Sequence, residues 1–324
     1  MPQIWTIGSE DIRRATATVR RFLPVTPLIP GSQFGLRSWL KLESAQRTGS
    51  FKVRGALARL EALLPEQRHR GVISASAGNH GAGLAYAAAQ LGIDATVFVP
   101  SGAPAVKCQK IAGYGAVVHR TEHPGYDASE ELAKAEADRT GAVYISPFDD
   151  PQVAAGNGAT LALEVLAALP EVDAIVVPVG GGGLLAGAIA AVKASGRSVE
   201  VIGVQSRACP AMAKSLEEGA AMHVFEGEPT LAEGLEGGVS DSTFAAAKQA
   251  GIEVHVVDER QIARAMLAAR ELGLIIEGSA AAPLAWLASA PSIPGTGAVV
   301  AVVTGGNMDP SQLSHAETLA EGFA

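Results

Sequence analysis

The sequence predicts an α/β protein with two open, twisted parallel-sheet domains and a ligand cleft between them. Short apolar β-branched runs alternate with alanine-rich amphipathic stretches, which is the rhythm of βαβ units. Those runs are apolar on both faces, as strands covered by helices on both sides must be. The rhythm breaks once, at "VYISPFDDPQVAAGNGAT", which reads as a crossing from one sheet to the other.

Before the first long run, "TGSFKVRGA" places Lys52 near the first turn of a helix. The strand "GVISAS" is followed by the helix "HGAGLAYAAAQLG", "ATVFVP" by "APAVKCQKIAGYG", and "AVVHRT" by the acidic helix Tyr126 to Thr140. After the crossing, "DAIVVPVGGGG" leads into the helix "LLAGAIAAVKASG". The strands "EVIGVQS", "EVHVVD" and "AVVAVVTGGN" follow. The tail "DPSQLSHAETLAEGFA" is a capping helix at most.

A length of 324 residues, with 48% hydrophobic and 18% charged residues, is that of an ordinary soluble enzyme and rules against disorder. The formal charge of −8 and the lack of any Lys/Arg cluster exclude a nucleic-acid footprint, so small molecules are the expected partners. The 2 cysteines, Cys108 and Cys209, have no metal-ligand spacing and predict neither a disulfide framework nor a zinc site. "MPQIWTIGSEDIRRA" lacks a signal-peptide core, and no later run of about 20 apolar residues could span a bilayer. A cytoplasmic protein is expected.

Three turns carry chemistry. In "VVPVGGGGLLAGAIAAV" a strand, Gly180 to Gly183 and a helix succeed one another. Glycines let backbone N–H groups converge on an anion at a helix start, although a close turn without a ligand uses them too. The run lies past mid-chain, without the spacing of a dinucleotide turn or a P-loop, so a cofactor with one phosphate fits best. "SASAGNHGAGLAYAA" opens a second helix with Ser76, Gly78, Asn79 and His80, suited to a carboxylate; the alternative is that Ser or Asn simply caps the helix. In "VVTGGNMD", Thr304 stands at the carboxyl end of a strand, where open α/β sheets bind ligands. Lys52 is either a surface lysine or an amine in a dry pocket, with a lowered pKa and nucleophilic character.

Together these motifs resemble the pyridoxal-phosphate enzymes of the tryptophan synthase β (fold-type II) class, in the branch of serine/threonine dehydratases and serine racemases. The resemblance runs in collinear order from Thr26–Ile29 through "LKLESAQRTGSFKVRGA", "SASAGNHGAG", "PFDDP" and "VVPVGGGGLLAG" to "VVTGGNMDP". It implies pyridoxal 5'-phosphate as cofactor, joined as a Schiff base to Lys52, whose freed amine moves the Cα proton of an amino-acid substrate. It places the phosphate on Gly180, Gly181, Gly182, Gly183 and Leu184, the ring 3-hydroxyl at Asn79 and the pyridine nitrogen at Thr304, with Phe51 and Glu277 also against the cofactor. The substrate carboxylate would lie on Ser76, Ala77, Gly78, Asn79 and His80. Residues 1–68 and 149–324 would form the large cofactor-binding domain, residues 69–148 a small mobile substrate-binding domain, and two copies a homodimer.

Three departures qualify the resemblance. Racemases of the family carry a second serine, an acid/base for the opposite face of Cα, where this chain has Ala77. Members with a divalent cation supply carboxylates where this chain offers Gln205 and Ala211, so no metal is expected. The segment "AGNGATLALE" is one residue longer than the family pattern. The reaction implied is elimination of water from a 3-hydroxy amino acid such as L-threonine or L-serine, giving a 2-oxo acid and ammonia. A racemase or β-replacement enzyme is the alternative within the fold, and a non-catalytic sensor the alternative outside catalysis, though a sensor has no need of Lys52.

Overall fold

A computed structural model describes residues 4–290 and 295–321. Helix α1 (Ser9–Phe22) leads to the strands β1 (Leu28–Pro30) and β2 (Ser38–Leu42), then to α2 (Lys52–Glu61) and the short α3 (Pro65–His69). The next layer runs β3 (Val72–Ala75), α4 (Asn79–Leu91), β4 (Ala95–Val99), α5 (Ala105–Gly113), β5 (Val117–Arg120), α6 (Tyr126–Thr140) and β6 (Val143–Tyr144). The chain returns through α7 (Pro151–Ala154), a π-helical turn (Ala155–Ala159) and α8 (Thr160–Ala168). Then come β7 (Val172–Pro178), α9 (Gly183–Ser195), β8 (Glu200–Ser206), α10 (Ala211–Glu218), α11 (Asp241–Ala250), β9 (Val254–Val257), α12 (Glu259–Glu271), α13 (Gly278–Ser289), β10 (Ala298–Val303) and α14 (Pro310–Glu321).

Two separate sheets result, with strand orders β1-β2-β10-β7-β8-β9 and β5-β4-β3-β6. All pairings are parallel except β1 with β2. Every strand predicted from the apolar runs is present. The antiparallel β1–β2 pair and the two-residue β6, inside the stretch read as a crossing, were not legible as strands. The four strands of the second sheet all fall between Val72 and Tyr144. The last three residues of the predicted capping helix lie outside the described residues.

Period-two alternation builds the larger core. Val299, Ala301 and Val303 of β10 face Ile262, Met266 and Leu284 of α12 and α13, while Val300 and Val302 face Leu161, Val165 and Leu185 of α8 and α9. Helix α2, although it precedes the second sheet, packs Val53, Ala56, Leu57 and Leu60 into that sheet's core with Val72, Leu84, Val97 and Ile111.

The segment "AGNGATLALE" contains the π-helical turn. A one-residue insertion in a helix held on both sides is accommodated by widening one turn. Gly156 lies against Ala58 and the Arg54 carbonyl of α2, and Gly158 against Leu184 and Gly187 of α9, so neither side can slide. The turn also directs Asn157, whose Oδ1 accepts a hydrogen bond from the Gly55 backbone N–H at 2.8 Å, capping the start of α2.

Candidate active site

β7 and β10 are hydrogen-bonded neighbours running in the same direction, so the loops at their carboxyl ends emerge side by side. One loop is Gly180–Gly183 and the other begins at Thr304. The segment before α2 is stitched to the second loop: the Phe51 N–H donates to the Thr304 carbonyl at 3.0 Å, and Ser50 bridges Gly305. Thus Lys52 is delivered to the ends of the two central strands. The first turn of α4 closes the site from the second sheet.

The resulting cavity measures about 900 Å³. Phe51, Lys52, Ser76 to His80, Gly180 to Leu184, Glu277 and Thr304 all line it, so every site residue singled out from the sequence reaches one cleft.

The Lys52 Nζ donates to the Pro147 carbonyl at 2.9 Å and lies 5.2 Å from the centre of the Phe51 ring. Desolvation lowers its pKa to about 8, against the opposing charge of Glu277, and the half-buried amine points into the cleft. His80 is held at about 3 by burial and by the Lys52 charge, with the Ile145 carbonyl opposing. It is a neutral imidazole: Nε2 lies 3.3 Å from that carbonyl, and the buried Nδ1 has no partner among the described residues.

The starts of α4 and α9, which both line the cleft, carry no side-chain cap. The N-cap of α4 is Gly78, whose own N–H donates to Ser76 Oγ at 3.1 Å, so the capping alternative for Ser76 and Asn79 does not hold. The N-cap of α9 is Gly182 with φ of 90°, a left-handed conformation that favours glycine. At Gly181 a Cβ would come within 2.5 Å of the Phe148 ring. Packing therefore demands glycine in this run, and the uncapped N–H groups, more than the glycine count, make the turn suited to an anion.

Asn79 donates from Nδ2 to both carboxylate oxygens of Glu277, at 2.8 and 3.0 Å. Burial raises the Glu277 pKa, and the Asn79 hydrogen bond opposes the rise. Thr304 is buried at the end of β10. Sequence reasoning passed over three further residues. Phe148 sits in the quoted "PFDDP" and lines the glycine turn. Asn307 sits in the quoted "VVTGGNMD" and donates to Asn79 Oδ1 at 2.7 Å. Lys107 on α5 reaches Glu233 across the cleft mouth at 3.3 Å; on an amphipathic helix a lysine reads as solvent-facing, and no sequence signal marks it.

The profile of the family described as pyridoxal-phosphate dependent enzyme matches residues 19–305, which takes in both sheets and the cleft. The chain belongs to that family. It is 41% identical over 315 residues to the L-threonine ammonia-lyase of Thermotoga maritima, covering 95% of this chain and 78% of the relative. It is 38% identical over 320 residues to the L-threonine dehydratase catabolic TdcB of Staphylococcus aureus strain N315, covering 94% and 90%. Among solved structures, maize serine racemase superposes with a TM-score of 0.90 at 31% identity, covering 97% of each chain. Threonine deaminase isoform 2 of Solanum lycopersicum gives 0.88 at 29% identity, covering 98% and 96%. As a pyridoxal-phosphate-dependent enzyme of fold-type II, the chain offers a cleft that fits the group: a half-buried amine, an uncapped helix start suited to a phosphate, an amide donor and an end-of-strand hydroxyl surround one cavity.

Proposed function

We propose that this enzyme is an ammonia-lyase that removes water from a 3-hydroxy amino acid, with L-threonine and L-serine as first substrates, yielding a 2-oxo acid and ammonia. The observation that carries the reading is the half-buried amine of Lys52, held at the Pro147 carbonyl and sharing one cavity with two uncapped helix starts, in a chain 41% identical to an L-threonine ammonia-lyase.

In this reading Lys52 holds the cofactor, Gly180 to Leu184 hold its phosphate, and Asn79 and Thr304 hold the ring 3-hydroxyl and the ring nitrogen. Phe51 and Glu277 flank the ring. The first turn of α4, Ser76 through His80, takes the substrate carboxylate on its free N–H groups, and the neutral His80 adds no charge there. Bound pyridoxal phosphate supplies an electron sink for the negative charge left on Cα. The Lys52 amine leaves the Pro147 carbonyl and takes the Cα proton. The Cβ–O bond breaks as that electron pair moves into a Cα–Cβ double bond, and the hydroxyl departs as water with one added proton. The enamine product gains water and splits into the 2-oxo acid and ammonia.

The domain division, with residues 69–148 as a small mobile substrate-binding domain and 1–68 with 149–324 holding the cofactor, belongs to the same proposal. It is supported by the separate four-stranded sheet. A cytoplasmic location and a homodimeric state complete it; the location fits two free cysteines and the absence, among the described residues, of a helix long and apolar enough to cross a membrane.

Likeness to maize serine racemase favours a second reading, a racemase. Racemisation needs an acid/base group on each face of Cα, and where racemases of the family carry the second one this chain has Ala77, whose methyl cannot move a proton. The deciding experiment incubates the protein with a panel of 3-hydroxy amino acids and follows 2-oxo acid, ammonia and, by chiral chromatography, the remaining serine. Equal release of 2-oxo acid and ammonia, with D-serine at trace level, is expected. Early D-serine comparable with pyruvate would replace this reading with the racemase.

A further inference from the structure

We propose that Lys110 is a positioning residue of this site: acting through Asn307, it fixes which edge of the Asn79 carboxamide faces the cofactor cleft. The inference rests on the reading of Asn79 as a cofactor ligand.

A carboxamide has a donor edge and an acceptor edge of nearly the same shape, so its orientation is decided by its neighbours. Lys110 Nζ, on α5, lies 2.5 Å from Asn307 Oδ1 and 3.0 Å from the Thr48 carbonyl. An ammonium only donates, which turns the oxygen of Asn307 toward α5. The nitrogen of Asn307 then donates to the Thr48 carbonyl at 2.8 Å and to Asn79 Oδ1 at 2.7 Å. A carbonyl only accepts, so both flanks of Asn307 demand the same orientation. Asn79 has thereby committed its oxygen, and its NH2 group is left for the Glu277 carboxylate in the cleft. Every end of the relay is a group with one option, cation or acceptor, and both amides between them have no second solution.

The place is built for this contact. Gly49 has φ of 76°, and a Cβ there would fall on the Asn307 carboxamide. Lys110 and Asn79 belong to helices of the second sheet, whereas Asn307 follows β10 of the first, so the relay spans the two layers. The neighbouring Lys107 pairs instead with the half-exposed Glu233 at the mouth.

The test is a double-mutant cycle on the affinity of the cofactor-free full chain for pyridoxal phosphate, read by absorption of the bound cofactor. Lys110→Met is expected to weaken binding by about tenfold and to shift the absorption maximum when Asn79 is present, but to change affinity by less than about twofold in an Asn79→Ala background. Lys110→Arg and Lys110→Gln, which keep a donor, are expected to bind as the unaltered chain does, and they serve if the methionine variant fails to fold. The same loss in both backgrounds, no loss at all, or a loss in the arginine and glutamine variants would overturn the relay. If the unaltered chain binds no pyridoxal phosphate, the reading of the site falls as well; if it binds and the cycle is additive, the relay alone falls.

Discussion

The Lys52 amine titrates near 8 because its cation is desolvated, and that has a measurable consequence. Only the unprotonated amine attacks an aldehyde, so capture of pyridoxal phosphate by the cofactor-free chain should accelerate with rising pH through a midpoint near 8. A midpoint near 10, that of an ordinary lysine, would show that burial does not act on the reacting group. Lys52→Ala should abolish capture by borohydride and all turnover, and peptide mapping of the reduced protein checks the site. His80 acts on stability instead. Its folded-state pKa, about 3, lies below the unfolded value, so the unfolded chain binds the extra proton between the two and stability falls as pH drops below about 6.5. At pH 5 the loss is about 2 kcal/mol, and His80→Gln should remove that part of the acid sensitivity in denaturant melts at pH 7 and pH 5.

The π-helical turn ties α2, which opens with Lys52, to α9, which opens at the glycine turn, because its glycines pack on both. Gly158→Ala would drive a methyl into the Leu184 carbonyl at the first turn of α9. The expected cost is about 1–3 kcal/mol or more of stability, with weaker cofactor binding, measured by thermal melts with and without pyridoxal phosphate. The conformation of this segment was not legible in the sequence, since a widened turn is chosen by the two surfaces on either side of it. The same division holds elsewhere. The long parallel strands and the glycine, Asn79 and Thr304 turns were legible because apolar runs and special backbone residues write themselves locally. β2 was not: it buries Lys41, and a lysine inside a strand makes sense only once Glu164, 2.6 Å away and on α8, is known. Lys110 and Asn307 likewise gain meaning only from partners distant in the chain.

Lys41 and Glu164 belong to a buried group that pins the whole large layer to α2. Arg54, fully buried two residues past Lys52, donates to Glu43 at 2.7 and 2.9 Å and to Glu164 at 2.7 and 2.9 Å, and Thr26 Oγ1 donates to Glu43 at 2.6 Å. Arg54→Met would leave the buried Glu43 carboxylate without its cation and Glu164 with Lys41 alone. A loss of about 3–5 kcal/mol is expected in equilibrium denaturation. Gln205, by contrast, is spent inside the fold, donating to the Val179 carbonyl at 3.1 Å and accepting from the Ala213 N–H at 2.9 Å. With Gln205 so committed and Ala211 apolar, turnover should survive exhaustive treatment with a divalent chelator; loss restored by magnesium or calcium would contradict this. The strand order carries a last consequence, for the order of assembly during synthesis. β10 sits between β2 and β7, and the β2 and β10 ends joined by the Arg37–Gly297 hydrogen bond are 260 residues apart along the chain. The four-stranded sheet can close as soon as residue 144 has emerged from the ribosome, whereas β2 keeps an unpaired edge until β10 is made. A nascent chain halted before β10 should therefore protect the 72–144 layer from protease and leave β2 open to digestion and to chaperones.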